Sequence, residues 1–596
     1  MALSNIDIAI VVAYMLSMVA VGFIVERRAR QGLSNYFLGG HEVPWWVLSM
    51  SNAASMFDIS GTIWLVTLLY VYGLKSIFIP WLWPVFNQIF LMVYLSAWLR
   101  RSGAMTGAEW ISMRFGRDAG AEASRISVVL FALVSVIAFT GYAFVGIAKF
   151  SSVFLPEALS PNTYAIIIIA VTTLYTVMGG LYSVVLTDLI QFLIMIVCSF
   201  ALGFIAMQRV APETLAAVVP AGWKDISFGW TLDLDWSQLM PAAAEQMQKD
   251  GYTLFGAFFM MMLFKGVLVS AAGPAPNYDM QRVLAAKSPK EASMMSGLVT
   301  VVLYVPRYFM VAGITVLALV FLRGDVASAG QIDLEQALPM VIRDFVPNGL
   351  AGLLIAGLLA AFMSTFSGTL NAAAAYLVND VYKKYFRPAA NDREYIRASY
   401  LSSLAVVVVG CIAGLYIETV AEAVDWIVSG LYGGYAGVNV LKWYWWRLNG
   451  YGYFWGMVTG IAGALALLWM PGVSPLQAFP FILLISVLGS MAGSLLTKPQ
   501  DEDVLIDFYV RTRPWGFWGP VRQAAMHRHP NFEPNRDLGW DLFNIIVGIV
   551  WQTAFMALPI YVVIREWRSA IACGATILVA STILKHTWYD RLETAP

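Results

Sequence analysis

The chain has 596 residues, of which 59% are hydrophobic and only 12% charged, and its mean hydropathy is +0.69. Soluble domains carry about 25% charged residues, so a water-soluble enzyme is excluded and a polytopic membrane protein is expected. The 37 basic residues balance 37 acidic ones, which leaves no electrostatic footprint for nucleic acid.

A membrane span needs about 20 apolar residues. By that measure spans are expected near residues 5–25, 45–72, 77–98, 127–150, 163–182, 188–207, 252–273, 294–321, 348–377, 397–416, 424–446, 451–470, 477–496, 541–563 and 569–586. That is about 15 transmembrane helices. The first apolar run lacks a basic leader and is long, so it reads as a first span and not as a cleaved signal peptide. Basic residues crowd alternate loops: Arg27, Arg28 and Arg30, then Arg100, Arg101, Arg114, Arg117 and Arg125, then Lys287 and Lys290, then Lys383, Lys384 and Arg387. The excess marks the cytoplasmic side of a plasma membrane. The N-terminus is then outside and, with an odd count, the C-terminus inside. Cys198, Cys411 and Cys573 lie far apart in apolar segments and read as free thiols. His527 and His529 lack further metal-ligand partners, so a solvated loop is the expected reading.

Two blocks of five spans, 45–207 and 252–446, each start with an interrupted span. The first interruption holds Asn52, Ser55, Asp58 and Ser60-Gly61; the second holds Gly273-Pro274-Ala275-Pro276-Asn277. Five is odd, so the second block enters the membrane from the opposite face. Paired interruptions in inverted halves point to a transporter site at mid-membrane, whereas a single one would read as an ordinary kink. The remaining organisation is a first span and linker (1–44), an external loop (208–251), two further spans (447–496), a cytoplasmic loop (497–540) and C-terminal spans with a short tail (541–596).

Three positions carry candidate chemistry. Asp58 is a carboxylate within a span, costly unless it is functional, ion-paired or a helix cap. It precedes Ser60-Gly61, where an opened helix would free carbonyl oxygens for a hard cation. Lys265, mid-span in Phe264-Lys265-Gly266, would pair with Asp58, meet an anionic solute or snorkel to the interface. Ser364 and Thr365 point about 100° apart on a helix, so they do not bond each other. Each either bonds back to its own helix or coordinates a cation, and Ala360-Ala361 is small enough to let a second helix approach. No P-loop or catalytic triad signature occurs in a convincing context, so neither ATP nor an organic cofactor is expected.

Four ordered motifs, spread over roughly residues 5–470, resemble the sodium:solute symporter family. They are Asn35-Tyr36-Phe37-Leu38-Gly39-Gly40 with Pro44-Trp45-Trp46; Thr106-Gly107-Ala108-Glu109 with Arg114-Phe115-Gly116; Tyr175 through Gly179-Gly180 and Thr187-Asp188 to Gln191; and Gln281-Arg282 through Lys287-Ser288. The resemblance implies an all-α LeuT-like core of two inverted five-helix repeats with extra N- and C-terminal spans. It also implies a sodium site formed by carbonyls of Met56, Ile59 and Ala361 and hydroxyls of Ser364 and Thr365, with Asp58 as a sodium-linked carboxylate. A second sodium would use Asp188, Ser364 and Ser367, although Gly368 stands where members with that site have Ser. For the solute, the chain departs from the sugar-binding pattern at 269–276 and at Asp425-Trp426.

Polar groups expected to face a mid-membrane pocket are Asn52, Ser55, Asn87, Gln88, Lys265 and Trp426. The expected function is sodium-coupled uptake of a polar organic solute, sugar-like or carboxylated, by alternating access, with Lys265 available for an anion. The partners are the solute and the lipid bilayer; no obligate protein partner is evident. The alternatives are a sodium/amino acid symporter or a non-transporting sensor of the same fold. The short tail after His586 speaks against the sensor, and the absence of a catalytic constellation in 497–540 speaks against a membrane enzyme.

Overall fold

The computed structural model describes residues 4–29, 31–155, 158–274, 278–326, 337–417, 433–466 and 475–592. Among these, the architecture is helical, and the one strand-like contact is an isolated bridge between Trp445 and Phe517. Helices dominate because a chain in hydrocarbon must satisfy its own backbone N–H and C=O groups. The helices that position the site are α1 (Asn5–Ala29), α2 (Trp45–Met56), α3 (Ile59–Tyr72), α4 (Ala119–Phe154), α5 (Pro161–Arg209), α6 (Phe255–Ala271), α7 (Tyr278–Ala285), α8 (Pro289–Phe321), α9 (Leu350–Ala375), α10 (Asp392–Gly414) and α11 (Gly433–Tyr444). Beyond them lie α12 (Gly450–Ala466), α13 (Pro475–Leu495), α14 (Leu538–Val563) and α15 (Trp567–Thr587).

Several helix starts follow capping chemistry. The side chains of Asp118, Ser160, Ser288 and Asn391 each accept a backbone N–H from the first turn of α4, α5, α8 and α10; these N–H groups would otherwise be orphaned. Gly349, before α9, has no side chain for this. Asp7 of α1 supplies the acceptor instead, taking the N–H groups of Gly349 and Gly352 at 2.7 Å each. The first span is thereby fastened to the helix that carries Ser364 and Thr365.

The expectation of about 15 spans is not met as a count. Ten helices among the described residues are long and apolar enough to cross a membrane, or eleven if the bent pair Pro241–Asp250 and Phe255–Ala271 counts as one span. The differences have physical causes. Residues 163–182 and 188–207 are two helices that meet at a non-helical Gly180, so the unbroken run Pro161–Arg209 counts once although it holds two expected spans. Residues 45–72 split into α2, too short to span alone, and α3, which continues through the 3-10 stretch into the counted span Gly61–Leu82. Residues 77–98 begin in 3-10 geometry around Pro80 and reach Arg101 through Asn87–Phe90, a π-helical stretch at Leu91–Leu95, and Ser96–Arg101. The expected spans 424–446 and 451–470 lie partly outside the described residues.

The bend of α5 lies at Gly180, whose φ of 50° and ψ of −143° are not helical. A Cβ there would sit 2.4 Å from the carbonyl oxygen of Tyr36, and the Tyr36 hydroxyl donates to the Val177 carbonyl at 2.8 Å. Two of the sequence motifs thus meet at one glycine. Gly180→Ala is expected to cost at least about 2 kcal/mol, from backbone strain plus the clash. Loss of the monodisperse detergent-solubilised species, or a depressed Tm, would register it; an unchanged Tm would count against the kink geometry.

α2 packs against α5, α8 and α9, and α5 against α1, α8 and α9. The break between α2 and α3 is therefore enclosed by the helices that carry the charged residues.

Candidate ion and solute site

α2 ends where Phe57 leaves helical geometry (φ −95°, ψ 74°), and α3 restarts after an extended Asp58 (φ −94°, ψ 156°). Such a break frees carbonyls on one side and N–H groups on the other. The Asp58 carboxylate accepts the Gly61 N–H at 2.9 Å, so it caps α3. It also accepts from the Tyr142 hydroxyl of α4 at 2.5 Å and pairs with Arg307 of α8 at 3.1 Å. Arg307 donates in addition to the carbonyl of Met56 at 3.0 Å. The cap and the ion pair weighed for Asp58 from the sequence are both present, at the edge of the break.

α9 crosses this break. Thr365 Oγ1 lies 2.7 Å from the Ser55 carbonyl and 3.1 Å from the Ala361 carbonyl. A hydroxyl has one proton to donate, so the bond within α9 and the bond to α2 compete for it. Ser55 Oγ lies 3.1 Å from Ser364 Oγ and 3.2 Å from the Ser364 carbonyl. Ser367 instead bonds back to the Ser364 carbonyl at 3.1 Å. Ser55, a solute candidate from the sequence, thus belongs to the junction of the two helices. Carbonyls and hydroxyls from α2 and α9 meet here without a thiolate or imidazole, the hard oxygen chemistry that suits an alkali cation. Met56, next to Ser55, closes α2 with its carbonyl accepting from Arg307, and Ile59 opens α3 on the other side of the break.

Asp188 on α5 is fully buried, and its Oδ2 accepts from Ser51 Oγ at 2.5 Å and from Arg282 of α7 at 2.8 Å. The Arg282 guanidinium, 1% exposed, also donates to Ser51 Oγ at 2.8 Å and Ser55 Oγ at 2.7 Å. A built-in cation therefore stands beside the carboxylate expected to hold a second sodium. Buried charges persist when paired and hydrogen-bonded, and both conditions are met.

A cavity of about 260 Å³ lies against the break, near the small end of ligand sites, which run from about 300 to 1,000 Å³. Its wall includes Asp58, Arg307 and Thr365, with Trp64, Trp83 and Tyr142 among the aromatics. Of the expected solute residues, Ser55 and Asn87 border it. Asn52 and Gln88 reach it through Asp279, to which both donate, as Asn87 also does. Lys265 does not border it: the side chain is 2% exposed, with Nζ 5.3 Å from the centre of the Phe479 ring. Trp426 lies outside the described residues. Asp279 and the partnering of Arg282 were missed in the sequence. The available signal was an ionisable residue just past the second interruption, the criterion that had drawn attention to Asp58.

The cavity wall draws on both sides of the break, with Ser55 and Met56 from α2 and Gly61, Trp64 and Leu65 from α3. Elsewhere, Trp110 and Trp443 pack with ring centroids 4.5 Å apart, and Lys442 Nζ sits 5.0 Å from the Trp110 ring and donates to Asn439 Oδ1 at 2.7 Å. Nearby, the buried Arg114 of the second motif donates to the carbonyls of Lys442, Trp445 and Leu448, tying that motif to the end of α11.

Comparison with known proteins agrees with this geometry. The model of the sodium:solute symporter family matches residues 36–460. The chain is 26% identical over 492 residues to a sodium/glucose cotransporter 4 of Danio rerio, covering 76% of this chain and 70% of that protein. It is 25% identical over 531 residues to a sodium/glucose cotransporter of Vibrio parahaemolyticus, covering 84% and 92%. Among solved structures, an outward-open, substrate-bound Na+-coupled sialic acid symporter superposes with a TM-score of 0.65 at 20% identity, over 84% of this chain and 99% of that one. That likeness supplies the fold: a LeuT-like helical core.

Proposed function

The chain belongs to the sodium:solute symporter family, and from that premise we propose that it couples inward sodium movement to uptake of a polar organic solute, sugar-like or carboxylated, by alternating access. The observation that carries this reading is the oxygen cluster joining Ser55 of α2 to Ser364 and Thr365 of α9, directly beside the cavity. Sodium held by Met56, Ile59, Ala361, Ser364 and Thr365 would tie the broken helix to α9 and so shape the cavity wall, because Thr365 belongs to both. Asp58, fixed by Arg307 and Tyr142, would hold the broken ends in register. Asp188, Ser364 and Ser367 remain the candidate set for a second sodium, with Arg282 as its competitor.

Alternating access finds support in the broken pair α2 and α3 and in the cavity beside the break. One sodium is sufficient energetically. A charge moving through 100 mV gives about 2.3 kcal/mol, and a tenfold gradient adds about 1.4 kcal/mol. Together these support roughly 500-fold accumulation of a neutral solute.

The test is uptake into proteoliposomes with an inward sodium gradient, over a panel of sugars, uronates and amino acids. Accumulation of at least one solute that collapses when potassium replaces sodium is expected. Equal accumulation in both salts, or none across the panel, refutes the reading.

A further inference from the structure

One carboxylate gathers three amides at the floor of the cavity. Asn52 Nδ2 donates to Asp279 Oδ1 at 2.7 Å, Gln88 Nε2 to the same oxygen at 3.0 Å, and Asn87 Nδ2 to Oδ2 at 2.5 Å. A carboxylate only accepts hydrogen bonds. Each amide must therefore turn its NH2 group toward Asp279 and its carbonyl oxygen away. The result is visible in all three: Asn52 Oδ1, Asn87 Oδ1 and Gln88 Oε1 are buried without a hydrogen-bond partner. Buried polar atoms are nearly always satisfied, and three such exceptions in one shell call for an explanation. Asn87 and Asp279 both border the cavity, and Asn87 is only 7% exposed.

Resting on the reading of this cavity as the solute site, we propose that Asp279 sets the polarity of its floor: held from behind by Asn52 and Gln88 and flanked by Asn87, it makes that end accept hydrogen-bond donors of the solute, hydroxyl or ammonium, and turn away a carboxylate. The cationic side chains nearby already have carboxylate partners or lie off the cavity. Arg307, in the cavity wall, is paired with Asp58; Arg282, behind the floor, is paired with Asp188 and also acts on Asp279; Lys265 sits over Phe479. An anionic head placed on the floor would face the Asp279 carboxylate beside Asn87, a like-charge contact of the kind that excludes wrong partners. Asp279 is in this sense a specificity-determining residue, and of the two solute classes open to the site it favours the uncharged one.

A matched set on one scaffold tests this: glucose, glucosamine and glucuronate, compared as sodium-driven substrates and competitors of the full-length chain in proteoliposomes. The wild type is expected to prefer glucose or glucosamine over glucuronate by at least about tenfold. Equal use of glucose and glucosamine identifies hydroxyl donors; preference for glucosamine identifies an ammonium. Asp279→Asn removes the charge and lets the amides turn, so the ratio should fall to within about threefold. Asn87→Asp adds a second carboxylate to the same floor and should steepen the ratio; it serves as the test if Asp279→Asn does not fold. Glucuronate used as well as glucose by the wild type, or a ratio untouched by the variants, overturns the inference while leaving sodium coupling intact. No sodium-driven uptake of any of the three overturns the sugar-like reading beneath it as well.

Discussion

Thr365→Ala is expected to raise the sodium concentration for half-maximal uptake about tenfold, equivalent to about 1.4 kcal/mol of sodium binding, with a smaller change in maximal rate. The expectation follows from the position of the hydroxyl, which lies within hydrogen-bond distance of a carbonyl on each of two helices, Ser55 on α2 and Ala361 on α9. Removing it deletes one hard oxygen from the proposed shell and the one side-chain bond from α9 to the Ser55 carbonyl. Ser364→Ala should act in the same direction, since Ser364 Oγ faces Ser55 Oγ at 3.1 Å. Ser367→Ala tests the second sodium: its hydroxyl bonds within α9, and an unchanged sodium dependence in this variant would remove Ser367 from the candidate set. Uptake measured against sodium concentration at fixed membrane potential separates the cases. Wild-type sodium dependence in both Ser364→Ala and Thr365→Ala would remove the site from α9, whatever the family resemblance implies.

Arg282→Gln is expected to be the most damaging single change to stability, about 3–5 kcal/mol, because it leaves Asp188 as a buried charge without its counter-ion. The partners are 1% and 0% exposed, so solvent does not screen the loss. Asp188→Asn should be similarly harmful, stranding the guanidinium. The double variant Asp188→Asn with Arg282→Gln removes both charges and should recover part of the loss, since neutral replacement of a buried pair is often tolerated. Thermal unfolding of the detergent-solubilised protein completes the double-mutant cycle. A double variant as unstable as the sum of the single ones would show that the two residues are not coupled. Recovery would show that the third and fourth sequence motifs, which hold Thr187-Asp188 and Gln281-Arg282, are joined through one ion pair.

Which features were legible beforehand follows from the range of the forces involved. The membrane class was certain because hydrocarbon demands long apolar helices, a purely local property. The broken helix was visible because Asp58 and Gly61 sit in an otherwise apolar run. Hydropathy also separates 163–182 from 188–207, and near that boundary Gly180 leaves helical geometry and divides the run into two helices, a break that a local glycine pair makes visible in the sequence. For Ser364 and Thr365 the sequence left open a bond within the helix or a cation, and the structure shows the Thr365 hydroxyl within reach of its own helix at Ala361 and of the α2 carbonyl of Ser55. Lys265 was misjudged as a pocket residue because depth in a span says nothing about which way a side chain faces.

The sequence by itself determined a helical membrane protein with interrupted helices, a hydroxyl pair on one span and motifs of a sodium-coupled family. Only the tertiary structure decided the pairings: Asp188 with Arg282, 94 residues away, Asp58 with Arg307, 249 residues away, and three amides turned toward Asp279. The reason is that apolar length and helix-breaking are written into neighbouring residues, whereas the partner of a buried charge is chosen by which helices the packing brings together.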